Sequence, residues 1–205
     1  MSPAPNATGT RAALIQAASE LMVEVGFDAM TTAALAKRAG LAEGTLYRHF
    51  SGKEAITEAV FEEAWKSNLQ EIEAALPPRS DPEARLRDFL PVAMGVLMRD
   101  PVRSQVCNQC HMHWIQQKRL ADLPPGPRDF VALLEETLRN AQAAGVARDD
   151  FDPFFVANFL FHAGGDLFER FVNPPSECCQ PRYTPEAFQQ AWNDFLNPRL
   201  FKESR

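Results

Sequence analysis

Residues 31–53 read TTAALAKRAGLAEGTLYRHFSGK, and this stretch decides the fold of the chain. Two short helical patterns meet in it at Gly40. In the first pattern small apolar residues surround Leu35, and in the second Leu46 and Phe50 share one face while polar residues occupy the others. Two helices joined by a short turn that contains glycine are typical of the helix-turn-helix motif, whose second helix enters a DNA major groove. The stretch therefore predicts a DNA-reading unit.

The distribution of charge along the chain supports a DNA-binding end. The 205 residues carry a net charge of -6, which argues against indiscriminate binding to nucleic acid. Residues 1–53 have a net charge of +1, the window 37–53 has +3, and residues 54–205 have -7. A locally basic module on an acidic body is typical of a protein that holds DNA with one end.

Periodicity predicts an all-α fold with about nine helices in total, because helical spacing runs through nearly the whole chain and strand alternation is absent. The helices are expected at 10–25, 32–39, 43–50, 53–76, 81–99, 101–113, 129–144, 154–172 and 185–196. Gly26 is the expected C-cap of the first helix, and Pro91 is expected to kink the fifth. Residues 123–127 (LPPGP) are expected to form an irregular loop, and a further helix at 114–120 stays open.

Several absences in the sequence bear on the class of protein. No apolar run approaches the roughly 18–20 residues that a membrane span needs. The N-terminal sequence MSPAPNATGTR lacks a basic patch followed by an apolar stretch, so we expect a cytoplasmic protein without membrane contact. Motifs for a catalytic nucleophile or a phosphate-binding glycine loop are also missing, and we expect neither an enzyme nor a bound cofactor.

A series of short motifs in the first part of the chain occurs in a fixed order: Gly26-Phe27, Thr31-Thr32, Leu35-Ala36, Ala39-Gly40, the run GTLYRHF at 44–50, and Lys53. In these residues the chain resembles the tetracycline-repressor (TetR) family of transcriptional regulators. The motifs cover about the first 60 residues, and the rest of the chain matches only in its helical architecture. The resemblance implies a helix-turn-helix DNA-binding domain at 1–52, followed by a helical effector-binding and dimerisation domain at 53–205. One departure is Ala42, where members often have a serine cap worth about 1 kcal/mol.

Chemistry and the resemblance together predict nine DNA-binding residues: Thr31, Thr32, Glu43, Gly44, Thr45, Tyr47, Arg48, His49 and Lys53. Arg48 is the candidate for reading a guanine, with a solvated arginine as the alternative. The hydroxyl, imidazole and ammonium groups are candidates for phosphate contacts, although the two threonines are equally suited to plain helix caps. Gly44 permits close approach to the groove, and Thr45 can touch a base or sugar. Glu43 repels phosphate, and it is either an acceptor for a cytosine amino group or a solvent-facing acid.

The helical body is predicted to hold an effector pocket and a dimer interface. Many aromatic and methionine side chains favour an apolar or amphipathic small molecule. The predicted pocket residues are Phe89, Met94, Leu97, Trp114, Leu134, Phe159 and His162. The predicted interface residues are Phe155, Phe161, Gly164, Phe168, Phe188, Trp192 and Phe195. His162 lies four residues before Asp166, so this pair is either a polar anchor in the pocket or part of the dimer seam.

The cysteines offer an alternative. Cys107, Cys110 and His111 share a helical face, which suits a zinc ligand set, whereas His113 points elsewhere. The spacing C-x-x-C-H also matches a haem attachment signature, but attachment would require export. We expect buried thiols instead and no bound metal. The adjacent pair Cys178-Cys179 is expected to be reduced, with oxidant or soft-metal sensing as the alternative.

The sequence as a whole predicts a ligand-responsive transcriptional regulator, most simply a repressor. It would bind a palindromic operator in double-stranded DNA as a homodimer, and a small-molecule effector would release it. Two other classes stay open. One is a metal or redox sensor that uses Cys107, Cys110 and His111, and the other is a helical scaffold that does not bind DNA.

Overall fold

The computed structural model describes residues 7–116, 125–172, 190, 194–195 and 199–202, with side chains over 9–111, 125–165 and the same C-terminal positions. Its helices are α1 (Ala7–Ala29), α2 (Thr32–Arg38), α3 (Glu43–His49), α4 (Lys53–Ala75), α5 (Pro82–Arg99), α6 (Pro101–Gln116), α7 (Gly126–Ala143) and α8 (Pro153–Val172). Over these residues, extended pairing is limited to an isolated antiparallel bridge between Ala147 and Phe201. The all-α prediction is confirmed. None of the described helices is long and apolar enough to cross a membrane.

The expected break at Gly26 is found, whereas α5 runs on through Pro91, where a kink stays a prediction. α1 is interrupted at Gly26, whose φ of 79° and ψ of 166° lie outside the helical region, so its first segment ends where the C-cap was expected. α6 continues to Gln116 and covers the start of the segment at 114–120 that stayed open. Most of the predicted helix at 185–196 lies outside the described residues, although Gln190, Asp194 and Phe195 are helical.

The loop prediction at 123–127 is wrong at its C-terminal end, because α7 begins at Gly126 and includes Pro127 in its first turn. Proline is tolerated there, since the first backbone N–H groups of a helix have no partner inside the helix. Gly126 also passes very close to Trp65, and a Cβ on Gly126 would lie 2.3 Å from the Cβ of Trp65. A glycine is therefore required by packing at the position where the sequence indicated only a chain breaker.

The first compact unit contains Met1–Ser67 and Asp100–Gly126. In it α1 packs against both α2 and α6, and α2 packs against α3. Its largest fully buried side chains come from the first four helices and from the α1–α2 connection: Leu14, Met22, Met30, Leu35, Leu46, Ile56 and Phe61. Burial of these side chains at roughly 1.5–3 kcal/mol each holds α2 and α3 at a fixed angle on α1.

The second compact unit contains Asn68–Arg99 and Pro127–Arg205. Aromatic rings join its helices, with Phe89 of α5 and Phe161 of α8 centred 5.6 Å and 5.5 Å from Phe130 of α7. At its C-terminal end the N–H of Lys202 donates to the Val146 carbonyl at 2.9 Å, and Leu200 is buried. The last described residues are thereby fixed to the segment that connects α7 with α8.

The two units do not coincide with the predicted functional domains at 1–52 and 53–205. Most of α4 and all of α6 belong to the same compact unit as the helix-turn-helix helices, and α4 continues into the second unit at Asn68. The functional division concerns which residues bind DNA and which bind an effector, and it stays a prediction.

Candidate DNA-binding surface

The turn between α2 and α3 is built from hydrogen bonds that glycine permits. α2 ends at Arg38, and Gly40 has a φ of 68°. The Gly40 N–H donates to the Lys37 carbonyl at 3.1 Å, and the Leu41 N–H donates to the Ala36 carbonyl at 2.8 Å. This pair of bonds is the Schellman motif, whose central residue favours glycine because it lies in the left-handed region. The predicted helix-turn-helix geometry is therefore encoded locally at Gly40.

The recognition helix α3 is anchored by its apolar face. Leu46 is fully buried and Phe50 is buried at the C-cap, where the Arg11 guanidinium lies 5.2 Å from the ring centroid. Its N-cap is Ala42, which has an extended backbone and makes no side-chain hydrogen bond. The missing cap predicted from the sequence is confirmed, so α3 depends on its buried face for stability.

The opposite face of α3 presents the predicted DNA-binding side chains to solvent. Gly44, Tyr47 and Arg48 are exposed, and Thr45 and His49 are partly exposed. The Arg48 guanidinium donates to the Thr45 hydroxyl at 3.1 Å, which holds the arginine along the helix surface. An arginine has five donors, so this bond leaves others available for a base edge or a phosphate.

The threonines at the start of α2 have different roles. Thr31 is the N-cap of α2, because its hydroxyl accepts from the Ala34 N–H at 3.1 Å. The Thr32 hydroxyl instead lies 2.7 Å from the Glu43 carboxylate and 3.3 Å from the Tyr47 hydroxyl. Glu43 is therefore held by a neighbouring hydroxyl rather than standing alone in solvent, and Thr32, Glu43 and Tyr47 form a connected polar group.

Lys53, at the start of α4, lies against the end of α1. Its ammonium group donates to the carbonyls of Phe27 and Asp28 at 3.1 Å and 3.5 Å, and it lies 4.2 Å from the centroid of the Phe27 ring. An ammonium has three donors, and two carbonyls leave one for a phosphate oxygen. Lys53 thus joins the start of α4 to the end of α1.

Arg38 is a positioning residue that sequence reasoning missed. Its guanidinium pairs with Glu24 at 2.6 Å and with Glu20 at 3.3 Å, which joins the end of α2 to α1. The hydrogen bond from Arg38 lowers the pKa of Glu24 below its usual value. These partners are 14 and 18 residues apart, a separation that no helical spacing rule connects. Arg38 is one of the basic residues in the window 37–53, and its guanidinium is used in ion pairs that hold α2 against α1.

The predicted effector-pocket residues fall into three groups. Phe89 and Leu134 are buried in the second unit, and Met94 and Leu97 are partly buried there. Phe159 and His162 are exposed on α8, with 57% of Phe159 accessible, so these two do not share the interior of Phe89. The side chain of Trp114 lies outside the described residues.

Two of the predicted dimer-interface residues are exposed aromatic side chains. Phe155 is 70% exposed and Phe195 is exposed on the C-terminal segment. Phe161 is partly buried against Phe130, so part of its ring packs inside the unit. Gly164 has no atom within 4 Å of where a Cβ would lie. Side chains of Phe168, Phe188 and Trp192 lie outside the described residues, as does that of Asp166.

The cysteine cluster has the character of a buried core. Cys107 and Cys110 are buried in α6, where burial raises the pKa of the Cys107 thiol to about 12 and also raises the pKa of the Cys110 thiol. Metal ligation needs thiolates, which this environment disfavours. Among the side chains that the structure describes, no three His, Cys, Asp or Glu residues group as a metal site. His113, Cys178 and Cys179 are outside this set.

Comparisons with known proteins agree with the geometry. The family described as "Bacterial regulatory proteins, tetR family" matches residues 14–60, which contain the surface described above. The nucleoid occlusion factor SlmA of Haemophilus influenzae is 32% identical over 180 residues, which are 85% of this chain and 78% of that protein.

Two solved structures share the fold over nearly the whole chain. GusR of Salmonella enterica superposes with a TM-score of 0.76 at 22% identity, covering 96% of this chain and 97% of that one. SmeT, the repressor of the Stenotrophomonas maltophilia multidrug efflux pump SmeDEF, superposes with a TM-score of 0.69 at 21% identity, covering 95% and 91%. Identities this low establish the shared fold alone.

Proposed function

Because the chain belongs to the tetR family of bacterial regulatory proteins, we propose that this DNA-binding regulator is a repressor that binds a palindromic operator as a homodimer and is released by a small effector. The observation that carries the proposal is the solvent-facing side of α3. There Tyr47 and Arg48 are exposed on a helix whose other side is fixed by Leu46. A regulator of bacterial genes acts in the cytoplasm, where the DNA lies, and needs no catalytic group.

Each residue of the surface has a chemical role in the proposal. Arg48 reads a guanine through its paired N–H donors. Thr31, Tyr47, His49 and Lys53 contact phosphates, which set the register of the helix without reading sequence. Gly44 and Thr45 lie at the groove floor, where a small residue permits close approach.

A direct test is fluorescence anisotropy with duplexes tiled across the DNA upstream of the gene that encodes this chain. We expect one inverted repeat to bind on the order of 1,000-fold tighter than its scrambled version, with affinity falling steeply as salt rises. Arg48→Ala should cost about 1–3 kcal/mol and relax the preference at one base pair. Arg128→Ala, an exposed arginine on α7, is the matched control and should bind like the wild type. Equal binding to all duplexes would refute the proposal.

The homodimer is proposed on the exposed aromatic face of α8. Phe155 and Phe159 are four residues apart and both more than half exposed. Contiguous apolar surface of this kind is typical of an interface, and the nearby Gly164–Gly165 pair allows another backbone to approach closely. Two recognition helices in one dimer would meet the half-sites of a palindrome about 34–36 Å apart.

Light scattering tests the dimer separately from DNA binding. Phe155→Glu places a charge on the proposed interface, and we expect it to shift the protein from a dimer to a monomer and to weaken operator binding. Phe154→Glu provides a comparison on a ring one residue away that is also more than half exposed. A wild-type monomer that still binds a palindrome with high affinity would contradict the proposed assembly.

The effector is proposed to be an apolar or amphipathic small molecule that binds among the interior residues of the second unit, including Phe89, Met94, Leu97 and Leu134. α4 contributes residues to both compact units, so it is the natural element to couple effector binding with the recognition helices. The repressor SmeT, which shares the fold, controls a multidrug efflux pump. A thermal-shift screen of amphipathic compounds, followed by release of labelled operator, tests this step. A compound that stabilises the protein without changing its DNA affinity would be no effector.

A further inference from the structure

Thr32, Glu43 and Tyr47, on the predicted DNA-binding surface, are linked by two hydrogen bonds that run in the same direction. The Thr32 hydroxyl is 2.7 Å from a carboxylate oxygen of Glu43 and 3.3 Å from the hydroxyl oxygen of Tyr47. Each hydroxyl has a single hydrogen to donate, and an ionised carboxylate only accepts. The short bond to a charged acceptor is the stronger of the two, so the Thr32 hydroxyl donates its hydrogen bond to the Glu43 carboxylate.

The direction of the second bond follows from the first. Since the Thr32 hydrogen is committed to Glu43, the oxygen of Thr32 can only accept from Tyr47. The hydrogens of both hydroxyls therefore point along the chain Tyr47, Thr32, Glu43 and end on a negative charge. A DNA phosphate also accepts hydrogen bonds, so it competes with Glu43 for these two hydrogens.

We propose that Glu43 restrains DNA binding by holding the hydroxyl hydrogens of Thr32 and Tyr47 away from the phosphates. The inference rests on the proposed function, since it assumes that this surface faces DNA. Glu43 lies in the first turn of α3, so it also places a negative charge near the DNA backbone. The restraint does not depend on base sequence. It lowers affinity for every duplex, so only a site with sufficient base contacts holds the protein.

The alternative role, acceptance from a cytosine amino group, predicts a different outcome. In that role the carboxylate contributes to one specific site, and its loss would weaken operator binding. In the restraining role the loss of the charge strengthens binding to any DNA. The substitution Glu43→Gln separates the two, because glutamine keeps the size and an acceptor oxygen but removes the charge.

The test uses a 30-base-pair duplex of mixed sequence at low salt, so no operator is needed. We expect Glu43→Gln to lower Kd by about five- to tenfold, the order of one nearby charge repulsion together with one released hydroxyl hydrogen bond at a protein surface. In a Thr32→Val background the gain from Glu43→Gln should shrink by about threefold or more, because one of the contested hydrogens is gone. Tyr47→Phe gives an independent second background, and the unfolding midpoints of all variants verify folding.

The matched control is Glu63→Gln, which removes the same charge from an exposed position on α4. It should change Kd by less than about twofold, since solvent screens a distant charge. Glu43→Gln that binds no tighter than wild type, or no tighter than Glu63→Gln, would overturn the inference, as would an undiminished gain in the Thr32→Val background. If the wild type binds the duplex and Glu43→Gln leaves Kd unchanged, only this inference is wrong. If neither the wild type nor any variant binds the duplex, the proposed function is wrong as well.

Discussion

Replacing Arg85 with methionine should remove one of the stronger polar contacts in the second compact unit. The Arg85 side chain is only 5% exposed, and its guanidinium pairs with the Glu73 carboxylate. Its other terminal nitrogen donates to the Pro77 carbonyl at 2.8 Å. Arg85 on α5 thus fixes the end of α4 and the segment that follows it. Methionine keeps the apolar stem and removes both hydrogen bonds.

The structure limits the size of the effect. A hydrogen bond to a charged group contributes about 1.5–3 kcal/mol, and two are lost, but the substitution also removes the desolvation cost of a buried guanidinium, which offsets part of that loss. Glu73 is 40% exposed and keeps Arg79 at 3.1 Å, so its carboxylate is not left buried and unpaired. The decrease in the free energy of unfolding should therefore be smaller than the roughly 3–5 kcal/mol lost when a fully buried pair is broken. For Arg85→Met we expect a decrease of about 2–3 kcal/mol. Arg85→Lys should lose about 1–2 kcal/mol, because one ammonium replaces a two-pronged donor.

Urea unfolding at neutral pH, followed by circular dichroism, measures these differences. Arg87→Met is the matched control, since Arg87 lies on the same helix, is 49% exposed and pairs with Glu83 four residues earlier. Exposed pairs of this kind contribute about 0.5 kcal/mol or less. Equal losses for Arg85→Met and Arg87→Met would refute the reasoning that burial makes the first contact strong.

Three further predictions concern stability. Ala42→Ser should stabilise the protein by about 1 kcal/mol in urea unfolding by supplying the missing cap of α3, with Ala42→Gly giving a smaller gain; a loss for both would contradict the assigned N-cap. Gly126→Ala should cost about 1–3 kcal/mol or more, because its Cβ would meet Trp65 at 2.3 Å; an unchanged unfolding midpoint would show that this close approach is absent. Burial raises the pKa of Cys107 from its usual 9.0 to about 12, so the unfolded chain loses this proton at a lower pH than the folded protein does. The stabilising contribution of the protonated thiol to the free energy of unfolding is therefore complete below pH 9 and falls by about 1.4 kcal/mol for each pH unit between 9 and 12. Cys107→Ala should flatten that alkaline decline, Cys110→Ala should do so as well, and an unchanged pH profile would contradict the burial of the thiols.

The parts of the fold that sequence predicts well are those with local causes. The turn at Gly40 is set by hydrogen bonds among residues within five positions of one another, and the missing cap at Ala42 is visible in the residue itself. The buried face of α3 follows from the spacing of Leu46 and Phe50. These features need no knowledge of distant segments.

The parts that sequence did not predict are contacts between distant residues. Glu43 binds Thr32 across 11 residues, and Lys53 reaches the Phe27 carbonyl across 26. Both side chains were predicted from the sequence to lie near or contact phosphates, but in the fold each also bonds to a residue of another helix. Such bonds depend on how the helices pack. At the start of α7 the close approach of Gly126 to Trp65 explains why a glycine is needed there, and this contact joins residues that are far apart in the sequence.

The most direct test of the central claim, that the exposed face of α3 reads DNA sequence, is selection of bound duplexes from a random double-stranded library. Wild-type protein should enrich an inverted repeat whose half-sites lie one helical turn apart. Arg48→Ala, selected in parallel, should lose the preference at one position of each half-site while retaining the phosphate-dependent background. Enrichment of the same repeat by both proteins would contradict the role of Arg48, and failure of the wild type to enrich any repeat would contradict the account.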